Sequence, residues 1–347
     1  MLAPVLAMIV AISAGATAAG GLPFFSLPTL DIGIPLQPFG IIVATGVLIG
    51  AEILRRFGFR YNIDDEDIRS LTMWVIVTGF IGAHVLDILM YEQDRLSAEG
   101  PILLLKMWDG ISSYGGFVGG ACGYLFWVWW KRATIGLIGD TIGVGLLPAF
   151  SIGRIGCTIV HDHVGRATDS VFGVDYPRGE LLARGLLDEL ASKEAVIRAH
   201  NLAMYELAYL IPVNIFVLWL AFQNRRRLPA GFVAVTIVML YAPVRFFLEF
   251  LRLNTSDPRY AGFTFAQWCS IVAFGTAAWV AWTLRTRGTP APLAAELGKR
   301  PGGRKASLAA LAKEQAKEHA KKDKPAKGDS DEDGDGAKAA RKAKGKK

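Results

Sequence analysis

Apolar residues in this chain come in long runs, with polar and charged residues gathered in short clusters between them. Seven runs approach the length a helix needs to cross a ~30 Å hydrocarbon core: roughly residues 38 to 55, 71 to 91, 114 to 131, 135 to 155, 203 to 223, 231 to 250 and 264 to 284. Every strong periodicity is helical, and in lipid a helix satisfies its own backbone groups. The pattern therefore predicts an all-α, polytopic integral membrane protein with seven core transmembrane helices.

Basic residues crowd alternate ends of these runs: "RRFGFR" with Arg69, "KR" at 131 to 132, "RRR" at 225 to 227 and "RTR" at 285 to 287. Such ends face the cytoplasm. The loops 92 to 113, 156 to 202 and 251 to 263 then face outward, and "YLFWVWW" at 124 to 130 reads as an interfacial aromatic belt. Residues 1 to 24 have an apolar core and small residues but no basic n-region. A cleaved signal, an extra span and an interfacial segment all remain open for them.

Composition changes the picture in two places. A hydrophobic content of 52%, a positive mean hydropathy and the long apolar runs together exclude an ordinary soluble domain, and Cys122, Cys157 and Cys269, two of them inside apolar runs and odd in number, give no disulfide framework. The formal charge of +7 belongs entirely to residues 289 to 347, since residues 1 to 288 carry 22 basic against 22 acidic side chains. This Lys/Ala-rich tail lacks the apolar residues to offset ordering entropy, and is expected to be a disordered cytoplasmic segment attracted to anionic headgroups. No nucleic-acid partner is expected. Residues 25 to 288 are expected to form one seven-helix transmembrane domain between the N-terminal segment and the tail.

Within the apolar runs, Arg154 and Arg245 stand out, because an unpaired cation at membrane depth costs from a few to more than ten kcal/mol. Arg245 and Glu249 lie four apart in "YAPVRFFLEFLR" and share a helix face, which permits an intrahelical ion pair. Arg154 has Asp162 as its nearby acid. Two guanidiniums near one face of a membrane also suit an anionic headgroup, since the planar fork donates paired hydrogen bonds to phosphate.

"GRIGCTIVHDHVGRATD", which contains Arg154, resembles the signature of the prolipoprotein diacylglyceryl transferase family, G-R-x-G-N-F-x-N-x-E-x-x-G-R-x-T-D. Further blocks resemble that family in order: "PFGIIVATGVLIG", "MWDGISSYGGFVGG", "RAHNLAMYE", "YAPVRFFLEFLR" and "FTFAQWCS". The resemblance implies an inner-membrane enzyme that moves the diacylglyceryl group of phosphatidylglycerol onto the lipobox cysteine of a secreted prolipoprotein, with no cofactor. It implies lipid-binding roles for Arg154, Arg245, Glu249, Gly115, Gly116, Gly153, Gly156 and Gly165, the glycines letting backbone approach a headgroup, and active-site roles for Asp162 and Tyr241. A noncatalytic or substrate-shifted member that binds anionic lipid or lipoprotein precursor is the alternative.

The chain departs from the family pattern at three polar positions: Tyr114 replaces histidine, Cys157 replaces asparagine and Phe39 replaces tyrosine. A phenol with an ordinary pKa near 10 is a poor base at neutral pH. His161 and His163, which the usual signature lacks, flank Asp162 and are candidates to accept the thiol proton in place of Tyr114. "CTIVHDH" also admits a metal reading, since Cys157, His161, Asp162 and His163 offer the S, N and O donors that zinc takes.

Overall fold

The computed structural model describes residues 20 to 288 except 28–29, 32–34, 107–109, 111, 191–193, 224–227 and 254–258. The basic tail and residues 1 to 19 of the N-terminal segment therefore lie outside the described residues. Ten helices follow in order among the described residues: α1 (Pro38–Arg60), α2 (Asp65–Tyr91), α3 (Gln93–Glu99), α4 (Ser113–Lys131), α5 (Ile135–Val160), α6 (Arg178–Ala183), α7 (Leu187–Leu190), α8 (Leu202–Leu218), α9 (Phe232–Leu248) and α10 (Phe265–Arg287). A π turn at Trp219–Gln223 prolongs α8, and a 3-10 turn at Glu249–Leu251 prolongs α9.

Six of these, α1, α2, α5, α8, α9 and α10, are long and apolar enough to cross a membrane. The remaining expected span, 114 to 131, does fold as the 19-residue helix α4. Its glycines, tyrosines and tryptophans weigh against it on a hydropathy scale, so length and apolarity alone support six spans rather than seven. Leu48, Ile215, Phe247 and Val272 point large apolar side chains outward from the bundle, as a lipid-facing surface requires.

Helix α5 is central: half of its span is buried inside the protein, against 17% for α1 and for α2. Lipid tails are as apolar as leucine, so helices here associate through close packing rather than through escape from water. Small residues supply that closeness. A Cβ on Gly50 of α1 would lie 2.5 Å from the Gly145 carbonyl of α5, and one on Gly145 would lie 2.6 Å from the Gly50 carbonyl. Helices α2 and α4 meet in the same way through Gly82 and Gly115, where an added Cβ would come within 2.3 Å of the Gly82 carbonyl.

The segment expected as an outward loop, 156 to 202, is more ordered than its hydropathy suggests. Strands β4 (Val164–Ala167), β5 (Val174–Pro177) and β6 (Val196–Asn201) join β1 (Leu22–Pro23) in a sheet of order β1-β5-β6-β4. Strand β1 runs parallel to β5, and the other pairings are antiparallel. Two-residue pairs β2 (Leu30–Asp31) with β3 (Pro35–Leu36), and β7 (Arg259–Tyr260) with β8 (Phe263–Thr264), are the other ladders among the described residues. Alternate residues of β6 are buried, so Ile197 and Ala199 join Val164, Val174, Tyr176 and Leu181 in a small core of their own. Strands of four to six residues are too short to register against the long helical runs on either side. The all-α class therefore describes the membrane body, with this sheet as a cap at one end.

Substitution at the helix contacts follows directly. Gly115→Val forces α4 away from α2 and is expected to lower stability by about 1–3 kcal/mol, the usual range for overpacking. Gly153, whose added Cβ meets nothing within 4 Å, is expected to tolerate alanine without loss. Thermal unfolding of the two variants in detergent checks the contrast.

Candidate functional site

A cavity of about 710 Å³ lies between α4, α5, α9 and α10. Its depth is apolar, lined by residues such as Phe117, Leu146, Leu147 and Ile237. One to three helical turns nearer the sheet, the lining becomes polar and charged: Tyr114, Arg154, Asp162, His163, Tyr241, Arg245 and Arg252. The site thus has an oily body and an ionic mouth.

Both arginines are buried, at 5% and 6% exposure for Arg154 and Arg245, and each is held by a buried glutamate. Arg154 Nε lies 3.3 Å from Glu206 Oε2 on α8. Its guanidinium also lies over the Phe150 ring, 4.8 Å from the centroid, a favourable cation–π arrangement. Tyr241 on α9 donates its hydroxyl to the other oxygen of Glu206, so this one carboxylate joins three helices. Arg245 Nη1 lies 2.9 Å from Glu249 Oε2, with Arg252 Nη1 at 3.7 Å from the other oxygen. Arg245 Nη2 donates to the Tyr114 hydroxyl at 2.7 Å. The intrahelical pair expected for Arg245 is formed, yet the residue still lines the cavity. For Arg154, the sequence-nearest acid, Asp162, is not the ion-pair partner; Glu206 is.

Helix α5 ends at His161, which takes a left-handed conformation with φ of 52°. This reversal turns Asp162 and His163 back toward the last turn of the helix. His163 Nε2 accepts from Arg154 Nη1 at 3.4 Å, which leaves Nδ1 to donate to Asp162. Burial pushes the Asp162 carboxyl up, but the hydrogen bond and charge of His163, with the charge of Arg154, outweigh it and hold the group below the ordinary carboxylate range. The Cys157 sulfur lies within 4.8 Å of ligand atoms of both Asp162 and His163.

His161 itself is not brought to the cavity, contrary to its expected role as a base. Its Nε2 donates to the Phe25 carbonyl at 2.8 Å, and its Nδ1 accepts from Asn201 Nδ2 at 2.9 Å and from the Tyr176 hydroxyl at 3.1 Å. The ring stacks on Phe24 with centroids 4.4 Å apart. Burial, helped by the Arg184 charge, pushes its pKa below the ordinary imidazole value against the opposing hydrogen bond to Phe25. The residue fastens the sheet to the end of α5.

The glycines also act elsewhere than expected. None of Gly115, Gly116, Gly153, Gly156 and Gly165 lines the cavity. Gly115 packs against α2, Gly156 leaves room for the Phe39 ring, and Gly165 sits against the Leu251 carbonyl. Those three permit contacts between protein segments, whereas a Cβ on Gly116 would make only ordinary contact and one on Gly153 would meet nothing within 4 Å. Glu206, Asn201, Tyr176 and Arg252 were missed in the sequence. For Glu206 a signal existed, since a carboxylate at the start of an apolar run demands a cationic partner; for Asn201 and Tyr176 none did.

Fold and site together define a polytopic helical membrane protein whose cavity matches an amphiphile with an anionic head. The model of the family named prolipoprotein diacylglyceryl transferase matches residues 28 to 283. The chain belongs to that family. Relatives named phosphatidylglycerol–prolipoprotein diacylglyceryl transferase include one from Thermosynechococcus vestitus, 25% identical over 76% of this chain and 94% of the relative. Another, from Pseudoalteromonas atlantica, is 28% identical over 66% of this chain and 78% of its own. A Clostridium perfringens enzyme, the second of that name, is 22% identical over 65% and 82% respectively.

The Glu206 bridge generates a stability test. Glu206→Gln leaves the buried Arg154 guanidinium without its counter-charge and is expected to cost about 3–5 kcal/mol, the usual range for breaking a buried pair. The double change Arg154→Gln, Glu206→Gln is expected to recover part of that loss. Melting temperatures of the single and double variants check the coupling.

Proposed function

We propose that this chain is a phosphatidylglycerol–prolipoprotein diacylglyceryl transferase of the cytoplasmic, or inner, membrane, with the sheet outside and the C-terminal tail in the cytoplasm. The observation that carries the reading is that Arg154 and Arg245 stand at the ionic mouth of one cavity whose depth is apolar. Acyl chains fit the depth, and the phosphodiester fits between the guanidiniums.

The chemistry places the demand there. An incoming thiol sulfur bonds the glyceryl carbon that carries the phosphate ester, the carbon–oxygen bond breaks, and its electron pair leaves with glycerol phosphate. Charge therefore grows on the phosphate as the bond breaks, and preorganised cations in a low-dielectric cavity favour that state over the resting ester. Glu206, Tyr241 and Glu249 aim the two arginines. Tyr114 serves Arg245 as a hydrogen-bond acceptor, so it is occupied as well as weakly basic. Thiol activation falls instead to the other polar group of the mouth, around Asp162 and His163.

Arg154→Lys and Arg245→Lys keep the charge but lose the fork, and each is expected to lower turnover about 100- to 1,000-fold. The assay is mass gain of a lipobox peptide by one diacylglyceryl group in vesicles containing phosphatidylglycerol. Undiminished turnover in both variants overturns the assignment of the phosphate site, and binding of lipid with no transfer by the unaltered protein overturns the enzymatic reading. For topology, alkaline phosphatase fused after Arg287 is expected to be inactive, because the enzyme folds only outside the cytoplasm.

A further inference from the structure

We infer that Cys157, Asp162 and His163 form a binding site for a zinc-type divalent cation, and that its open position receives the peptide thiol. This rests on the transferase reading above and specifies how the thiol is activated.

One ligand atom from each of the three residues, a thiol sulfur, a carboxylate oxygen and an imidazole nitrogen, lies within 4.8 Å of the others. Soft sulfur, borderline nitrogen and hard oxygen in a set of three is the donor pattern of zinc sites that keep a fourth position for a reactant. The local fold explains the convergence. Cys157 occupies the last turn of α5, and the left-handed His161 returns the chain so that the next two side chains face it. The C-terminal end of a helix is also its negative end, which favours a cation. His161 is excluded from the set because both of its ring nitrogens are engaged with Phe25, Asn201 and Tyr176.

Asp162 and His163 line the same cavity as Arg154 and Arg245, so the site borders the space assigned to the lipid phosphate. A thiol that coordinates a divalent ion is deprotonated outright, so Cys157 and the peptide thiol would both bind as thiolates. With a phosphodiester they bring three negative charges, of which the ion offsets two beside the arginines that line the same cavity.

Occupation would also release Arg154. In the structure its Nη1 donates to His163 Nε2. Whichever ring nitrogen takes the metal, that acceptor is lost, because Nε2 then carries either the metal or the ring proton. The freed Nη1 becomes available to phosphate. Cys157 would give its proton to water when the metal binds, and the peptide thiol would give its own on taking the open position; the peptide sulfur's electron pair then forms the carbon–sulfur bond, and the pair from the broken carbon–oxygen bond leaves with glycerol phosphate.

The test uses the full-length protein in detergent. After removal of metal with a chelator, Co²⁺ is titrated in, and d–d and thiolate-to-metal charge-transfer absorption are recorded alongside metal analysis of the untreated protein. One ion per chain is expected. Cys157→Ser, Cys157→Asn and His163→Gln are expected to lose the charge-transfer band or the ion, while Cys122→Ser, on the far exposed face of α4, keeps both. Size-exclusion profiles and melting curves identify any variant that has merely failed to fold, and the two Cys157 replacements give independent chances of a folded one. Absence of Co²⁺ binding, or binding unchanged in folded Cys157 and His163 variants, overturns the site. Full transfer activity in metal-free protein overturns the role in thiol activation while leaving the transferase reading intact. A bound ion that depends on these residues in a protein with no transfer activity supports the site and overturns the transferase reading.

Discussion

Two guanidiniums inside a lipid-spanning body set the terms for the rest of this structure. Each would be costly alone, by a few to more than ten kcal/mol, so each must have an anionic partner fixed in place. Arg245 finds one on its own helix, four residues on, and this pair requires little beyond a regular α9. Arg154 does not. Its partner Glu206 comes from another helix, and the second oxygen of that carboxylate is taken by Tyr241 from a third. The ion pair therefore specifies tertiary structure, and it ties α5, α8 and α9 together at the depth where the cavity changes from apolar to ionic.

Such a constraint works only if the helices can approach closely and if their ends are held. Glycine-to-carbonyl contacts provide the approach, between α1 and α5 and between α2 and α4. The ends are held by side-chain caps: Asn201 accepts from the Met204 amide at the start of α8, and Thr264 with Gln267 forms a reciprocal capping box at the start of α10. Asn201 also binds His161, so one residue couples the start of α8 to the end of α5. The sheet anchors the reversal at His161, and that reversal sets the direction of Asp162 and His163. A cap built of short strands thus determines chemistry at the mouth of a helical cavity.

How much of this the sequence displayed depended on the range of the physical signal. Helices α1, α2, α4, α5, α8, α9 and α10 were legible because lipid imposes length and apolarity on each segment independently of its neighbours. The Arg245–Glu249 pair was legible because its geometry is fixed by helical spacing. Glu206 was not connected to Arg154, because 52 positions separate them and only packing decides which acid meets which base. The sheet escaped notice because β4, β5 and β6 are stabilised by pairing across the chain, and their alternation spans only a few residues. Glycines in the family-like blocks suggested ligand contact, whereas at Gly115, Gly156 and Gly165 the same property, room for a close neighbour, is used between segments of the protein. His161 and His163 looked equivalent in "HDH"; a single left-handed residue separates a buried fastener from a cavity-lining side chain.

The three departures from the family's sequence pattern acquire meaning from their positions in the fold. Tyr114 lies on α4 and offers Arg245 a hydroxyl acceptor, which preserves the arginine's setting without supplying an effective base. Phe39 lies on α1 against Gly156, where an apolar ring packs beside the turn that bears Cys157. Cys157 faces Asp162 and His163. Relative to the family pattern, a phenol stands in place of a histidine on α4, the end of α5 gathers a thiol, a carboxylate and an imidazole, and both arginines keep buried partners. Because a phosphate between two guanidiniums can be approached by a nucleophile from more than one side, the groups that activate the thiol need not occupy one inherited position. They need only border the same ionic mouth, and Asp162 and His163, just beyond the end of α5, line it.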